Sequence, residues 1–172
     1  WLTYIGLTAV AVVALRFAGM GWFDALCHAF SAMGLGGFST RDASIGAFDS
    51  AAIEIVLIVL MLVATLNFSR HFMALRNRSL DPYRRDSEAK AILVLVGASV
   101  VAIALLLTLR GTYPTFLEAL RHSAFNVVSV ASTTGFVSQD FGLWPIFAPV
   151  WMLFLSCIVC STGSTGGGIK MF

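Results

Sequence analysis

The sequence predicts an all-α integral membrane protein made of repeated units, each with a membrane span, a short loop-forming helix and a second span. Of the 172 residues, 58% are hydrophobic and only 12% are charged, against roughly 25% charged in soluble domains. Residues 91–109 carry no charge, and a helix of that length covers most of a ~30 Å hydrocarbon core. An offset of 98 residues aligns Gly37 with Gly135 and Asp42 with Asp140, which indicates an internal repeat.

The repeat sets the expected order of the elements. Copy one is predicted over 1–76, with a span at 1–18, a short helix at 22–33, a glycine loop at 34–40 and a span at 51–76. Copy two is predicted over 88–172, with a span at 88–110, a short helix at 115–131, a loop at 132–138 and a span at 144–172 that is interrupted at 161–168. The connecting loop, 77–87, lies in a basic stretch of the chain, so the positive-inside rule places it in the cytoplasm.

The two short helices hold too many polar residues to be comfortable spans, among them His28 in the first and His122 and Asn126 in the second. Because each lies between two spans, it must begin and end on the outer side, either on the membrane surface or as a re-entrant loop. Lipid tolerates a re-entrant loop only where its backbone lines a cavity or is buried in protein.

The glycines that follow each short helix favour the re-entrant form. Glycine permits backbone angles that turn successive carbonyls to one side, and a ring of carbonyls replaces the hydration shell of an alkali cation in potassium-channel filters, which read T-V-G-Y-G. Residues 133–136, Thr-Thr-Gly-Phe, have that order. The alternative is a glycine that only caps each helix, with His28, His122 and Asn126 at the membrane interface.

Four stretches carry a family resemblance: 28–50 (HAFSAMGLGGFSTRDASIGAFDS), 67–85 (NFSRHFMALRNRSLDPYRR), 122–140 (HSAFNVVSVASTTGFVSQD) and 161–170 (STGSTGGGIK). With them the sequence resembles the Trk, Ktr and HKT superfamily of potassium-uptake proteins, and most closely its bacterial TrkH branch. The resemblance implies four span, pore-loop and span units around one pore, as in potassium channels, of which this chain has the second and a truncated third.

The resemblance also implies which residues contact the ion. The predicted potassium ligands are the backbone carbonyls of Leu35, Gly36, Gly37, Phe38, Thr133, Thr134, Gly135 and Phe136. Copy one has Leu35-Gly36 where copy two has Thr133-Thr134, so a threonine side-chain ligand is not expected there. Glu54 is predicted to be interfacial rather than an ion ligand.

A glycine cluster near the end of the chain is predicted to be a gate. Its residues are Gly163, Ser164, Thr165, Gly166, Gly167, Gly168 and Lys170. The cluster does not fit the phosphate-binding pattern G-x-x-x-x-G-K-[ST], because Ile169 precedes Lys170 and Met171 follows it. Successive glycines weaken a helix by roughly 1 kcal/mol each, and the resemblance implies an intramembrane gating loop here. Close helix packing by small residues is the alternative, and Lys170 either repels cations or marks the cytoplasmic boundary.

The predicted function is potassium-selective translocation across the bacterial inner membrane, without enzymatic chemistry. A sodium-permeable or sodium-coupled member of the same superfamily, a potassium channel proper, and a membrane enzyme using His28, His122 and Asp42 or Asp140 are the alternatives. Three cysteines provide neither a disulfide framework nor a four-ligand metal site, so no covalent cofactor is expected. The chain does not start with methionine, and we expect an internal segment of a longer protein.

The resemblance implies partners as well. One is a second copy of the protein, with which it forms a homodimer in the lipid bilayer. The other is a cytosolic regulatory subunit that binds a nucleotide, NAD or ATP. Nucleic acid is not expected as a partner.

Overall fold

The computed structural model describes residues 2–79, 81–84 and 86–169, and within them the chain is helical, without a β-strand. Eight α-helices follow one another in these ranges: α1 Leu2–Phe17, α2 Trp22–Met33, α3 Ala51–Thr65, α4 Phe68–Asn77, α5 Asp81–Arg84, α6 Ser87–Leu109, α7 Phe116–Ala131 and α8 Phe147–Ile158. Short 3₁₀ helices, Ser44–Phe48 and Phe141–Leu143, precede α3 and α8.

The short helices α2 and α7 lie at the centre of the packing. Helix α2 packs against α1 and α3, whereas α7 packs against α6, α8 and α3. The contact of α3 with α7 therefore joins the two halves of the chain. Small and apolar residues such as Ala29, Ala32 and Phe125 are fully buried in this core.

The outward faces of the other helices are apolar. Exposed side chains include Ile5 and Val10 on α1, Val94 on α6, and Val150 and Leu153 on α8. Apolar surface that continues over several helices marks a contact with lipid or protein. Helix α6 is long and apolar enough to cross a membrane by itself.

The predicted single span over 51–76 differs in the structure, where α3 and α4 meet at a bend of 98°. The hydroxyl of Thr65 donates to the carbonyl of Met61 at 2.7 Å, a bond that competes with the helical ladder. Leu66 is then extended, and the side chain of Asn67 caps α4 by accepting from the Ser69 amide. The α3–α4 pair is a second candidate span, and α1 and α8 are shorter apolar helices.

The starts of α6 and α7 follow from their capping residues. Asp86 accepts hydrogen bonds from the amides of Glu88 and Ala89, and Thr115 accepts from the amide of Glu118. Such side chains replace the missing helical partners of the first amides. Each helix thus begins at a fixed residue, and α7 ends directly at the loop 132–138.

Candidate functional site

The loops after α2 and α7, residues 34–40 and 132–138, share an unusual backbone. Leu35 and Gly37 in the first loop have positive φ, +50° and +68°, and Thr133 and Gly135 in the second have +61° and +92°. Positive φ is uncommon for Leu and costly for a β-branched Thr, so the surroundings hold both residues in place. Strained residues of this kind cluster at functional sites.

Hydrogen bonds at the starts of the two loops match at an offset of 98 residues. In each loop, three successive amides donate to carbonyls of the preceding helix. These bonds run from Gly34, Leu35 and Gly36 to Phe30, Ala32 and Ser31, and from Ser132, Thr133 and Thr134 to Val128, Val130 and Ser129. Different side chains therefore build the same turn out of the helix.

The two loops touch each other. A Cβ added to Gly37 would lie 2.1 Å from the carbonyl oxygen of Thr134, closer than real Cβ contacts allow, whereas one added to Gly135 meets no atom of the described chain within 4 Å. Further along, the Gly46 amide donates to the Val137 carbonyl at 3.1 Å, and the Val137 amide donates to the Ser44 hydroxyl at 3.2 Å. The loops thus form one continuous unit.

A buried polar network, here called the inner brace, supports the second loop. It consists of Asn126, Ser129 and Ser138, all of them buried. Asn126 donates to the Ser138 hydroxyl at 3.0 Å and accepts from the Ser138 amide at 3.3 Å. The hydroxyl of Ser129 donates to the Phe136 carbonyl at 2.6 Å. This bond fixes the direction of that carbonyl and leaves it a second lone pair.

A partly exposed network, here called the outer brace, supports the first loop. His28, which aligns with Asn126, is fully buried, and its Nδ1 donates to the Asp24 carbonyl at 2.7 Å. In a neutral ring Nε2 then accepts from the Ser39 hydroxyl, at 2.9 Å. The carboxylate of Asp24 accepts from Thr40 at 2.6 Å and from Arg41 at 3.1 Å.

The aromatic residues that follow the loop glycines have different surroundings. Phe136 is completely buried and lies 5.7 Å, centroid to centroid, from the ring of His28. Phe38, at the equivalent position, is 81% exposed. The second loop therefore inserts its aromatic ring beside the first short helix, which adds an apolar link between the halves.

The glycine segment after α8, residues 161–168, contacts both loops. The hydroxyl of Thr165 donates to the carbonyl of Met33, the last residue of α2, at 3.0 Å. The amide of Gly167 donates to the hydroxyl of Thr133 at 2.9 Å. A Cβ on Gly166 would lie 2.4 Å from Cys160 Sγ and 3.3 Å from the Ser132 carbonyl. A side chain at position 166 is thus excluded where the segment meets the loops.

A partly buried ion pair joins α3 to α7. Both carboxylate oxygens of Glu54 accept from the guanidinium of Arg121 at 2.9 Å, and Asp49 accepts at 3.2 Å. The Glu54 side chain is only 4% exposed, so its carboxylate joins two helices, and its interfacial depth stays a prediction. A carboxylate in an apolar segment usually has a partner, but the sequence does not show that this partner is Arg121.

Three residues of the alternative enzyme site make local structural contacts. His28 belongs to the outer brace, His122 stacks on Tyr113 at 5.1 Å, and Asp140 caps the second 3₁₀ helix at the Gly142 amide. Within residues 2–79, 81–84 and 86–169 there is no group of three metal-ligating His, Cys, Asp or Glu side chains. Lys170, predicted as part of the gate, lies outside the described residues.

Both loops are predictable from the sequence, but the hydrogen-bond networks of their braces are not. The offset of 98 residues also aligns Ser31 with Ser129, and that is the sequence signal for Ser129. The two serines have different environments, which the alignment does not reveal. Ser129 donates to the Phe136 carbonyl, whereas the buried hydroxyl of Ser31 has no partner in the described chain.

Known proteins match this chain over its whole length. The family model of TrkH, described as a cation transport protein, matches residues 1–172. The Trk system potassium uptake protein TrkH of Halomonas elongata is 46% identical over 173 residues, which cover 99% of this chain and 35% of that protein. The TrkH protein of Salmonella typhimurium is 42% identical, and the match covers 99% of this chain and 35% of that protein.

A solved structure gives the same result. The crystal structure of the potassium transporter TrkH from Vibrio parahaemolyticus superposes with a TM-score of 0.94 at 40% identity, and the match covers 99% of this chain and 37% of that one. The chain therefore spans little more than a third of the length of these relatives.

Proposed function

Because the chain belongs to the TrkH family of cation transport proteins, a family of the bacterial inner membrane, we propose that its full-length protein carries potassium through a pore to which this chain contributes two loops. The observation that supports this most directly is the paired backbone of 34–40 and 132–138. Two loops with positive φ at equivalent positions lie in contact, each at the C-terminal end of a short helix.

The proposed ligands are backbone carbonyls. Residues 35–38 and 133–136 supply them, and the loop glycines allow the turns that aim them at one axis. The C-terminal ends of α2 and α7 add negative potential at the loops, since a helix carries roughly half a negative charge there. The chain supplies two quarters of the filter in a protein with four such units, the second and third repeats.

The proposed gate is the segment 161–168. It touches the Met33 carbonyl and the Thr133 hydroxyl, so its displacement changes the space next to both loops. Glycine at 166 and 168 suits the close approach, because a Cβ there would lie 2.4 Å from Cys160 Sγ and 2.7 Å from the Ser156 carbonyl.

Two partners belong to the proposal, in line with the names of the relatives, which refer to a Trk system. One is a second copy of the protein, forming a dimer. The other is a nucleotide-binding regulatory subunit at the cytoplasmic side, where α4 carries Arg70 and Arg76. The two are tested by co-purification of the full-length protein with its regulatory subunit and by its mass in detergent.

The transport proposal is tested with the full-length protein in lipid vesicles, by measuring Rb⁺ and Na⁺ uptake. We expect Rb⁺ uptake well above Na⁺ uptake. Gly135→Ala, which forces a Cβ onto a φ of +92°, is expected to lower the ratio. Gly97→Ala is the matched control, because Gly97 lies in α6 and the added Cβ meets no atom of another described element within 4 Å. Absence of uptake of both ions contradicts the transport proposal.

The gate is tested separately by replacing Gly166, Gly167 and Gly168 with alanine, singly and together. We expect the triple variant to insert into the membrane normally and to change Rb⁺ flux. The Gly166 change is expected to exceed the Gly167 change, because the nearest atom to a Cβ on Gly167 is 3.7 Å away. Unchanged flux in the triple variant contradicts the gate.

A further inference from the structure

The glycine segment also contacts the bend between α3 and α4. The amide of Ser161 donates to the Thr65 carbonyl at 3.3 Å, and the amide of Phe68 donates to the Gly163 carbonyl at 3.2 Å. Both partners belong to the bend between α3 and α4. The bend therefore provides free backbone groups with which the segment forms hydrogen bonds.

A charged side chain makes a further contact with the segment. Glu88 Oε1 accepts from the amide of Thr162 at 3.0 Å. Hydrogen bonds to an ionised carboxylate are roughly twice as strong as neutral ones. Glu88 is half-buried in the first turn of α6, and its own amide is held by the capping carboxylate of Asp86 at 3.1 Å. The carboxylate of Glu88 thus projects from a fixed backbone.

An ion pair connects the N-terminal cap of α6 to α4. Arg70 Nε lies 3.2 Å from Asp86 Oδ2, and the Asp86 side chain is only 7% exposed. At the other side of the same junction, a Cβ on Gly163 would lie 3.0 Å from Oδ1 of Asn67, the cap of α4. The starts of α4 and α6 therefore converge on residues 162 and 163 of the segment.

We propose that Glu88 is a positioning residue that holds the glycine segment beneath the two loops, and that the Arg70–Asp86 ion pair makes this hold depend on the position of α4. The inference rests on the proposed gate. Movement of α4 shifts the N-terminal cap of α6, and with it the carboxylate that binds the Thr162 amide. Ion flow then responds to the cytoplasmic side of the protein without any change in the loops themselves.

The first experiment measures backbone hydrogen exchange in the full-length protein. Loss of one charge-assisted hydrogen bond corresponds to roughly a tenfold change in a local opening equilibrium. In Glu88→Ala we expect amides in 161–169 to exchange about tenfold faster and those in 132–138 to be unchanged. Glu88→Gln keeps a carbonyl acceptor, so an intermediate rate is expected. Ser87→Ala, one residue earlier on the same helix, is the control.

The second experiment measures Rb⁺ and Na⁺ uptake of the same variants at matched protein amounts. We expect Glu88→Ala to raise Rb⁺ uptake severalfold with the Rb⁺ to Na⁺ ratio unchanged. In Glu88→Gln we expect Rb⁺ uptake to return most of the way to that of the parent protein. A purely structural role would instead lower protein yield and alter exchange throughout the chain.

The proposal is overturned if exchange over 161–169 in Glu88→Ala equals that of Ser87→Ala, or if 132–138 accelerates equally. Where the parent protein carries Rb⁺, it is also overturned if exchange changes while Rb⁺ uptake does not. Because hydrogen exchange does not require transport, a full-length protein that carries no Rb⁺ contradicts the proposed function while the exchange result still decides whether Glu88 positions the segment.

Discussion

The loops 34–40 and 132–138 follow the same backbone path with different side-chain support. The inner brace of the second loop is buried and uncharged, and its aromatic residue, Phe136, lies inside the protein. The outer brace of the first loop includes the partly exposed Asp24–Arg41 ion pair, and Phe38 is exposed. What the two loops share is a set of backbone angles and backbone hydrogen bonds, which indicates that the carbonyl positions are the constrained feature.

The largest expected effect comes from Gly37→Ala. Its Cβ meets the Thr134 carbonyl at 2.1 Å on a φ of +68°, whereas Gly135→Ala has strain in φ without a contact in the described chain. We expect Gly37→Ala to abolish selective Rb⁺ uptake and Gly135→Ala to reduce selectivity partially. Equal uptake by Gly37→Ala and the parent would contradict the observed contact between the loops.

The aromatic pair gives the next largest expected effect. Phe136→Ala removes a fully buried ring, and such changes destabilise proteins by about 3–5 kcal/mol. Phe38→Ala removes a ring that this chain leaves 81% exposed, so a change below about 1 kcal/mol is expected from surface substitutions. Thermal unfolding of the full-length variants measures both. A large loss for Phe38→Ala would show that another part of the full-length protein buries that ring.

The equivalent serines test the braces with a smaller change. Ser129→Ala leaves the Phe136 carbonyl without its 2.6 Å donor in a buried site, which costs about 1–3 kcal/mol. Ser31→Ala removes a buried hydroxyl that has no partner in the described chain and is expected to be neutral or slightly stabilising. Thermal unfolding and the Rb⁺ to Na⁺ uptake ratio are measured for both serine variants. Equal effects would contradict the difference between the braces.

The smallest expected effect is a response to acid that only the first loop shows. The hydrogen bond from Thr40, with help from Arg41, holds the pKa of Asp24 below its usual 3.8. The contribution of Asp24 to stability is therefore present above that usual value and is lost as pH falls through the lowered pKa. We expect the protection of amides 39–42, relative to their intrinsic exchange rate at each pH, to fall only below about pH 4, and Asp24→Asn to remove this dependence. The inner brace contains no carboxylate, so loop 132–138 serves as the internal control.

Part of this organisation is predictable from local sequence. Composition predicts a helical membrane chain, and the glycines after each short helix identify the loops because few other residues adopt positive φ. Leu35 and Thr133 also have positive φ, and no local propensity predicts that. Their conformation depends on the helices, the neighbouring loop and the glycine segment around them.

The remaining features depend on contacts between distant residues. The bend after Thr65 has no proline or glycine to mark it, since residues 61–69 read MLVATLNFS. The Arg121–Glu54 pair joins residues 67 positions apart. A one-sequence pattern shows that each charge is unusual in its segment, but not which opposite charge lies beside it.

The insertion of Phe136 beside His28 has a consequence for exchanging parts between relatives. Phe136 with His28, Thr134 with Gly37, and Arg121 with Glu54 each take one member from either half of the chain. A hybrid joined in the connecting loop 77–87 would combine surfaces that were selected with other partners. Productive hybrids between family members should therefore inherit both halves from one parent, and substitutions that appear at one side of these three pairs should be accompanied by changes at the other.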